Sequence, residues 1–151
     1  MADTSNFKKI IEPWFRDEYL PQYYPGAMIT QDKLPLVWGG EFEYDAVVYR
    51  NGEIIAVYLL SCSEYKTKQG KGGAGKFHKI KSDVLMMLGT SCQTKIMAFL
   101  GRTMFEQFDK QQKGGRLPPE IQHELIIPPE KIQNIIFGIR NKASSEVTPN
   151  N

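Results

Sequence analysis

Two cysteines and two histidines are all the thiols and imidazoles that this 151-residue chain carries. Cys62 and Cys92 have no C-x-x-C or comparable spacing, which excludes a zinc ribbon or a disulfide framework as the organising device. At this length, with 41% hydrophobic residues, one domain can bury a core unaided. Reduced thiols in a cytoplasmic protein are therefore expected. No apolar run reaches the roughly 18 residues that a membrane-spanning helix needs, and the opening MADTSNFKK shows no basic-then-apolar signal pattern. No membrane partner is expected. Net charge is also small, at +2.

The small total conceals one concentrated segment. Residues 66–81 hold Lys66, Lys68, Lys71, Lys76, Lys79 and Lys81 without an acid. Removing those six charges from the net +2 leaves −4 on the other 135 residues. Gly70, Gly72, Gly73 and Gly75 interrupt the lysines, so the segment reads as a cationic loop opening a helix, a natural partner for phosphate oxygens. Gly70, Gly75 and Lys76 even fit the G-x-x-x-x-G-K phosphate loop of nucleotide-binding proteins. Phe77, however, stands where the Mg²⁺-binding Ser or Thr belongs, residues 64–69 intervene where an abrupt turn is needed, and the next strand ends in Gly-Arg rather than Asp. No nucleotide cofactor is expected.

Along the chain, Phe7, Ile10, Ile11, Trp14 and Phe15 form a helical stripe, with Pro13 as a kink or early stop. Residues 21–40 read as a Pro- and aromatic-rich covering loop with a short strand near 34–37. Residues 41–49 and 53–61 flank Asn51-Gly52, the signature of a two-residue hairpin turn. The second of these strands is apolar on both faces and should be central. A helix follows from about Lys76, with Phe77, Ile80, Val84 and Leu88 toward the core. Then come a strand at 94–100, a helix at 102–113, an edge strand at 123–128 and a last helix. The expected fold is α/β, a mixed central sheet flanked by helices, with an αβββαβ core and C-terminal αβα elements. One domain over 1–142 and a disordered polar tail over 143–151 are expected.

The run helix, three strands, helix, strand, together with YDAVVYRNGEIIAVYLL, resembles the PD-(D/E)XK (restriction-endonuclease-like) nuclease superfamily. The resemblance covers roughly residues 5–100. It implies a fold in which an Asp on one hairpin strand and a Glu-x-Lys on the next hold Mg²⁺ and activate water for phosphodiester hydrolysis. Asp45 matches the first carboxylate. A two-residue turn makes paired positions sum to 103, so Asp45 should face Tyr58, and Tyr58-Leu59-Leu60 stands where Glu-x-Lys is wanted. Glu64-Tyr65-Lys66 matches the motif literally but lies six residues further, on the order of 20 Å along a regular strand. A bulge or turn would have to fold the strand end back. Glu41, Glu43 and Glu12 are alternative carboxylates, although alternating acids on a strand are usually a solvated face.

Three functions follow as expectations. The first is a nuclease-like domain with a degenerate or relocated catalytic centre that binds nucleic-acid phosphates through Lys66, Lys68, Lys71, Lys76, Lys79 and Lys81, with DNA favoured over RNA. The second is an active Mg²⁺-dependent endonuclease with Asp45 and Glu64 on the metal and Lys66 beside the water. The third is an interaction module, with a homodimer through an edge strand as one form. Lysine is a point-charge phosphate binder, so base-specific reading has no support. Trp14, Trp38, Tyr23 and Tyr24 read as core, or alternatively as a platform for bases.

Overall fold

A computed structural model describes residues 5–66, 70 and 72–147, with side chains described up to Asn141. The chain divides into two compact units, one spanning Gly26–Ile126 and the other made by the segments on either side of it.

The central unit is a five-stranded mixed sheet. Its elements are β1 (Met28–Pro35), β2 (Glu41–Arg50), β3 (Glu53–Ser61), α2 (Ala74–Leu88), β4 (Lys95–Phe99), α3 (Arg102–Lys113) and β5 (Ile121–Leu125). Strand order follows the sequence, β1 to β5. The first two pairings are antiparallel and the last two parallel. The α/β class and the order of elements are those expected. At the β2–β3 turn Asn51 and Gly52 take φ of 54° and 78°, the left-handed pair that a type I′ turn requires. Ala56 to Leu60 are all buried, as expected for a strand in the middle of a sheet.

The register departs from a regular hairpin twice. Arg50 pairs with Glu53 and Tyr49 with Ile54, but Val48 then pairs with Ala56. Ile55 is therefore an extra residue on β3, and Ala46, not Asp45, faces Tyr58. On the other side, Thr30 pairs with Val47 and Asp32 with Tyr44. Gln31 alone therefore opposes both Asp45 and Ala46, a bulge on β2. A bulge bends its strand and re-aims one side chain, and the one re-aimed here is Asp45.

One sheet face carries α2 and α3. Phe77, Ile80, Val84 and Met87 from α2 and Met104 and Phe108 from α3 join Val57, Leu59, Met97 and Phe99 in a single cluster. The core stripe of α2 thus ends on Met87. Leu88 is 37% exposed and Leu85 54%, because the 3.6-residue period carries the stripe from Val84 to Met87. Tyr44 is fully buried, and its hydroxyl shares a 2.7 Å hydrogen bond with Thr90. Burial outweighs that bond and pushes the phenol up to about 12.

β1 begins six residues before the strand expected near Leu34. Its stretch Thr30-Gln31-Asp32-Lys33 is polar because β1 is an edge of the sheet, and edges carry charge and proline to discourage further pairing. Hydrophobic alternation cannot reveal such a strand; the ladder with β2 makes it.

The second unit holds a helical run, α1, and α4 (Glu130–Val147). α1 combines π turns (Phe7–Ile11 and Phe15–Tyr19), an α turn (Glu12–Trp14) and a 3₁₀ turn (Leu20–Gln22). Pro13 does not stop it. The Glu12 N–H donates five residues back, to Phe7 O, so the wider turn adapts the helix to a missing amide. Ile11, Trp14, Phe15 and Leu20 are buried. α4 runs five residues past Lys142, into the segment expected to be a tail; residues 148–151 lie outside the described residues.

Candidate nucleic-acid interface and carboxylate positions

Asp45 is aimed by its bulge at the neighbouring strand. The Leu60 N–H donates to Asp45 Oδ2 at 2.7 Å. The β2–β3 pairing ends at Ala46 and Tyr58, while β3 continues beside β4 through Leu60 and Ser61. The carboxylate thus supplies the acceptor that β2 would have offered had it stayed in register. A charged acceptor on a partly buried amide contributes about 1.5–3 kcal/mol. Asp45→Ala is therefore expected to lose about that much stability, and Asp45→Asn distinctly less, since an amide oxygen still accepts. Urea midpoints of the two variants check this. Equal midpoints for both and the parent protein would show that the bond carries no weight.

Glu64 is held elsewhere, at the start of α3. The Thr103 N–H donates to Glu64 Oε1 at 3.1 Å, and Thr103 Oγ1 accepts from Tyr65 N at 2.8 Å and Lys66 N at 3.2 Å. The two side chains cap one another's segments. Glu64 answers an orphan amide of a helix N-terminus, where a negative charge is favoured by the dipole. The arrangement needs Gly101, since a Cβ there would lie 2.2 Å from Ser63 O and 2.4 Å from Glu64 Oε1.

The carboxylates proposed from sequence to share a metal are thus committed to amides of different elements, Leu60 on β3 and Thr103 on α3. Among the described residues, no three His, Cys, Asp or Glu side chains converge as metal ligands. Glu12, in the other unit, pairs with Arg16 at 3.7 Å. With Asp45 and Glu64 on separate amides, the donor set does not fit a resident Mg²⁺.

The basic segment leads from this capped corner into α2. Lys66 is exposed; Lys68 and Lys71 lie outside the described residues. Gly73 caps α2 without any side-chain bond, and the first turn has no acid. Gly73 is packed, however: a Cβ would meet Tyr65 O at 2.6 Å. The Tyr65 ring lies edge-on to Phe77, 6.1 Å between centroids. Phe77, 4% exposed, occupies the position of the phosphate loop's hydroxyl as a core residue. Lys76, Lys79 and Lys81 are exposed. Lys79 pairs with Asp83 at 3.0 Å, the i, i+4 pair visible in the sequence, and Lys81 Nζ lies 5.5 Å from the Phe77 ring centre.

Sequence reasoning missed Glu124. It pairs with Ala98, which pairs with Leu60, so Glu124 stands in the same row across the sheet as the amide that holds Asp45. Burial raises its carboxyl above the usual range. Nothing in the local pattern HELIIP marks it, because the row exists only once β3, β4 and β5 are aligned. His123 points to the opposite face and bonds Asp109 at 2.9 Å. Asp109 also meets Lys113 at 2.7 Å; that bond first, then His123, holds its carboxyl low. The His123 ring centre lies 5.1 Å from those of both Phe105 and Phe108, which packs it against α3 beside the Asp109–Lys113 pair. No family model, no curated protein and no solved structure matches this chain.

Proposed function

We propose that the central unit is a divergent PD-(D/E)XK-like domain that binds the phosphate backbone of nucleic acid through the lysine segment and the start of α2, with its hydrolytic centre lost or moved. The observation that carries this reading is the start of α2: a 15-residue helix whose N-terminus has neither a side-chain cap nor an acid in its first turn, preceded by Gly72 and Gly73 and carrying the exposed Lys76, Lys79 and Lys81. Such an end offers partial positive charge and backbone amides to an anion. The three-strand meander followed by a parallel crossover strand supports the nuclease-like part, and Asp45 at a strand bulge supports it further. The engagement of Asp45 and Glu64 with backbone amides favours binding over cleavage.

Each lysine that neutralises one phosphate contributes about 0.7–0.9 to the log-log salt slope. Replacing Lys71, Lys76 and Lys79 together by Ala should therefore flatten the slope by about 2 to 3, measured by fluorescence anisotropy on DNA and RNA between low and physiological salt. No binding at low salt, or an unchanged slope, overturns the proposal. A nicking assay with Mg²⁺ or Mn²⁺ on supercoiled DNA tests the second reading. Cleavage abolished by Asp45→Asn and Glu64→Gln, in chains that remain folded, would replace binding by catalysis.

A further inference from the structure

The solvent side of α2 joins its lysines to an exposed tryptophan. His78, Lys81, Ser82 and Leu85 recur at helical spacing on that side, and the stripe continues to Gly89, immediately after the helix. Gly89 is buried because Trp38 covers it. A Cβ at residue 89 would lie 2.5 Å from Trp38 Cη2 and 2.6 Å from Cζ2, so the six-membered ring rests directly on the glycine. The backbone beneath is tied in place, with Val37 N donating to Gly89 O at 2.8 Å and Leu36 bridged to Thr90. Yet 55% of Trp38 faces solvent, and Leu85, one helical turn before Gly89, is 54% exposed.

We infer that Trp38 is a stacking platform for an unpaired base, and that the polynucleotide proposed above is single-stranded where it crosses α2. This rests on the phosphate-binding reading and adds to it the class of strand. An indole fixed from below and open above is the geometry that base stacking uses. The charge distribution orders the two ends. Anionic phosphates are favoured at the lysine-bearing N-terminal half of α2 and disfavoured at its C-terminus, where the helix dipole is negative. Trp38 sits at that C-terminal end, where the dipole disfavours a phosphate but not a neutral base. Lys81 and Gly89 are eight residues apart, about 12 Å along a helix, so one short stretch of strand reaches both. In a duplex the base faces are stacked on one another and are denied to the ring.

The experiment is anisotropy titration of the full chain with a labelled oligothymidylate and with a duplex of equal charge, across salt. Trp38→Ala should weaken the single-strand complex about 5- to 150-fold at an unchanged salt slope, and Trp38→Phe should recover part of the loss. Gly89→Ala should weaken it similarly while the indole is retained, because the new Cβ displaces the ring. Lys81→Ala should instead lower the slope by about 0.7. Trp14 is buried, so quenching of tryptophan emission reports Trp38. Equal affinity for Trp38→Ala and the parent, or tighter duplex binding, overturns the platform and leaves the lysine reading standing. Absence of any polynucleotide binding at low salt overturns both. Self-association, or capture of an acidic peptide, that Trp38→Ala abolishes in a chain without oligonucleotide affinity assigns the patch to a protein partner and overturns both as well.

Discussion

Phe77→Ala is expected to remove about 3–5 kcal/mol of stability, a large share of what a domain this size possesses. The ring is 4% exposed and lies in the cluster that α2 shares with β3, β4 and α3. It also meets the Tyr65 ring, and Tyr65 packs its carbonyl against Gly73. Losing Phe77 therefore loosens the first turn of α2 and the loop that enters it. The sharper form of the test is Phe77→Thr, which completes G-x-x-x-x-G-K-[ST] in sequence. If position 77 belonged to a nucleotide loop, that variant would gain affinity for Mg²⁺-ATP. Since position 77 is core, it should instead unfold at much lower urea and bind no nucleotide in calorimetry. A Phe77→Thr protein of parental stability that binds Mg²⁺-ATP would refute the core assignment.

Phe77 as a core residue, the Asn51-Gly52 turn, the Lys79–Asp83 pair and the helix at 102–113 all depend on local spacing, and local spacing is visible in one chain. Asp45 was visible as a residue but not as a geometry. Its carboxylate points at Leu60 because β2 and β3 each carry one extra residue, and neither Ile55 nor the Asp45-Ala46 step has a glycine or proline to mark a bulge. The Glu64–Thr103 caps were hidden for another reason. They join residues 39 positions apart, and the literal Glu-Tyr-Lys match drew attention to chemistry where the fold uses the glutamate as a helix cap. Trp38 reads in the sequence as core, with a platform for bases as the alternative, because aromatic residues near prolines are usually core. Its exposure follows from Gly89, a pairing that no periodicity announces.

Gly101→Ala is expected to destabilise the chain by about 2–4 kcal/mol, combining overpacking with the loss of a helix cap. Backbone strain is not the cause, since φ −100° and ψ 118° suit alanine. The cause is contact: the nearest atom to the new Cβ is a main-chain oxygen, Ser63 O at 2.2 Å, and the next is Glu64 Oε1 at 2.4 Å. A flexible side-chain tip could swing aside, but a carbonyl moves only with its chain. Residues 63–66 must then retreat from α3, which breaks the bond from Thr103 N to Glu64 and those from Tyr65 N and Lys66 N to Thr103. Thr103→Val isolates the second set, being close in shape but without the acceptor hydroxyl; about 0.5–2 kcal/mol is expected for it. Hydrogen exchange reads the difference directly. Amides of Tyr65 and Lys66 should exchange faster in both variants, and that of Thr103 faster mainly in Gly101→Ala, where Glu64 is displaced. Gly101→Ala with parental stability and parental exchange at Thr103 would mean that the corner is already loose, and Glu64 would again be available to a metal. Loss of stability with accelerated exchange ties Glu64 to α3, so that its carboxylate serves as a helix cap and not as a metal ligand.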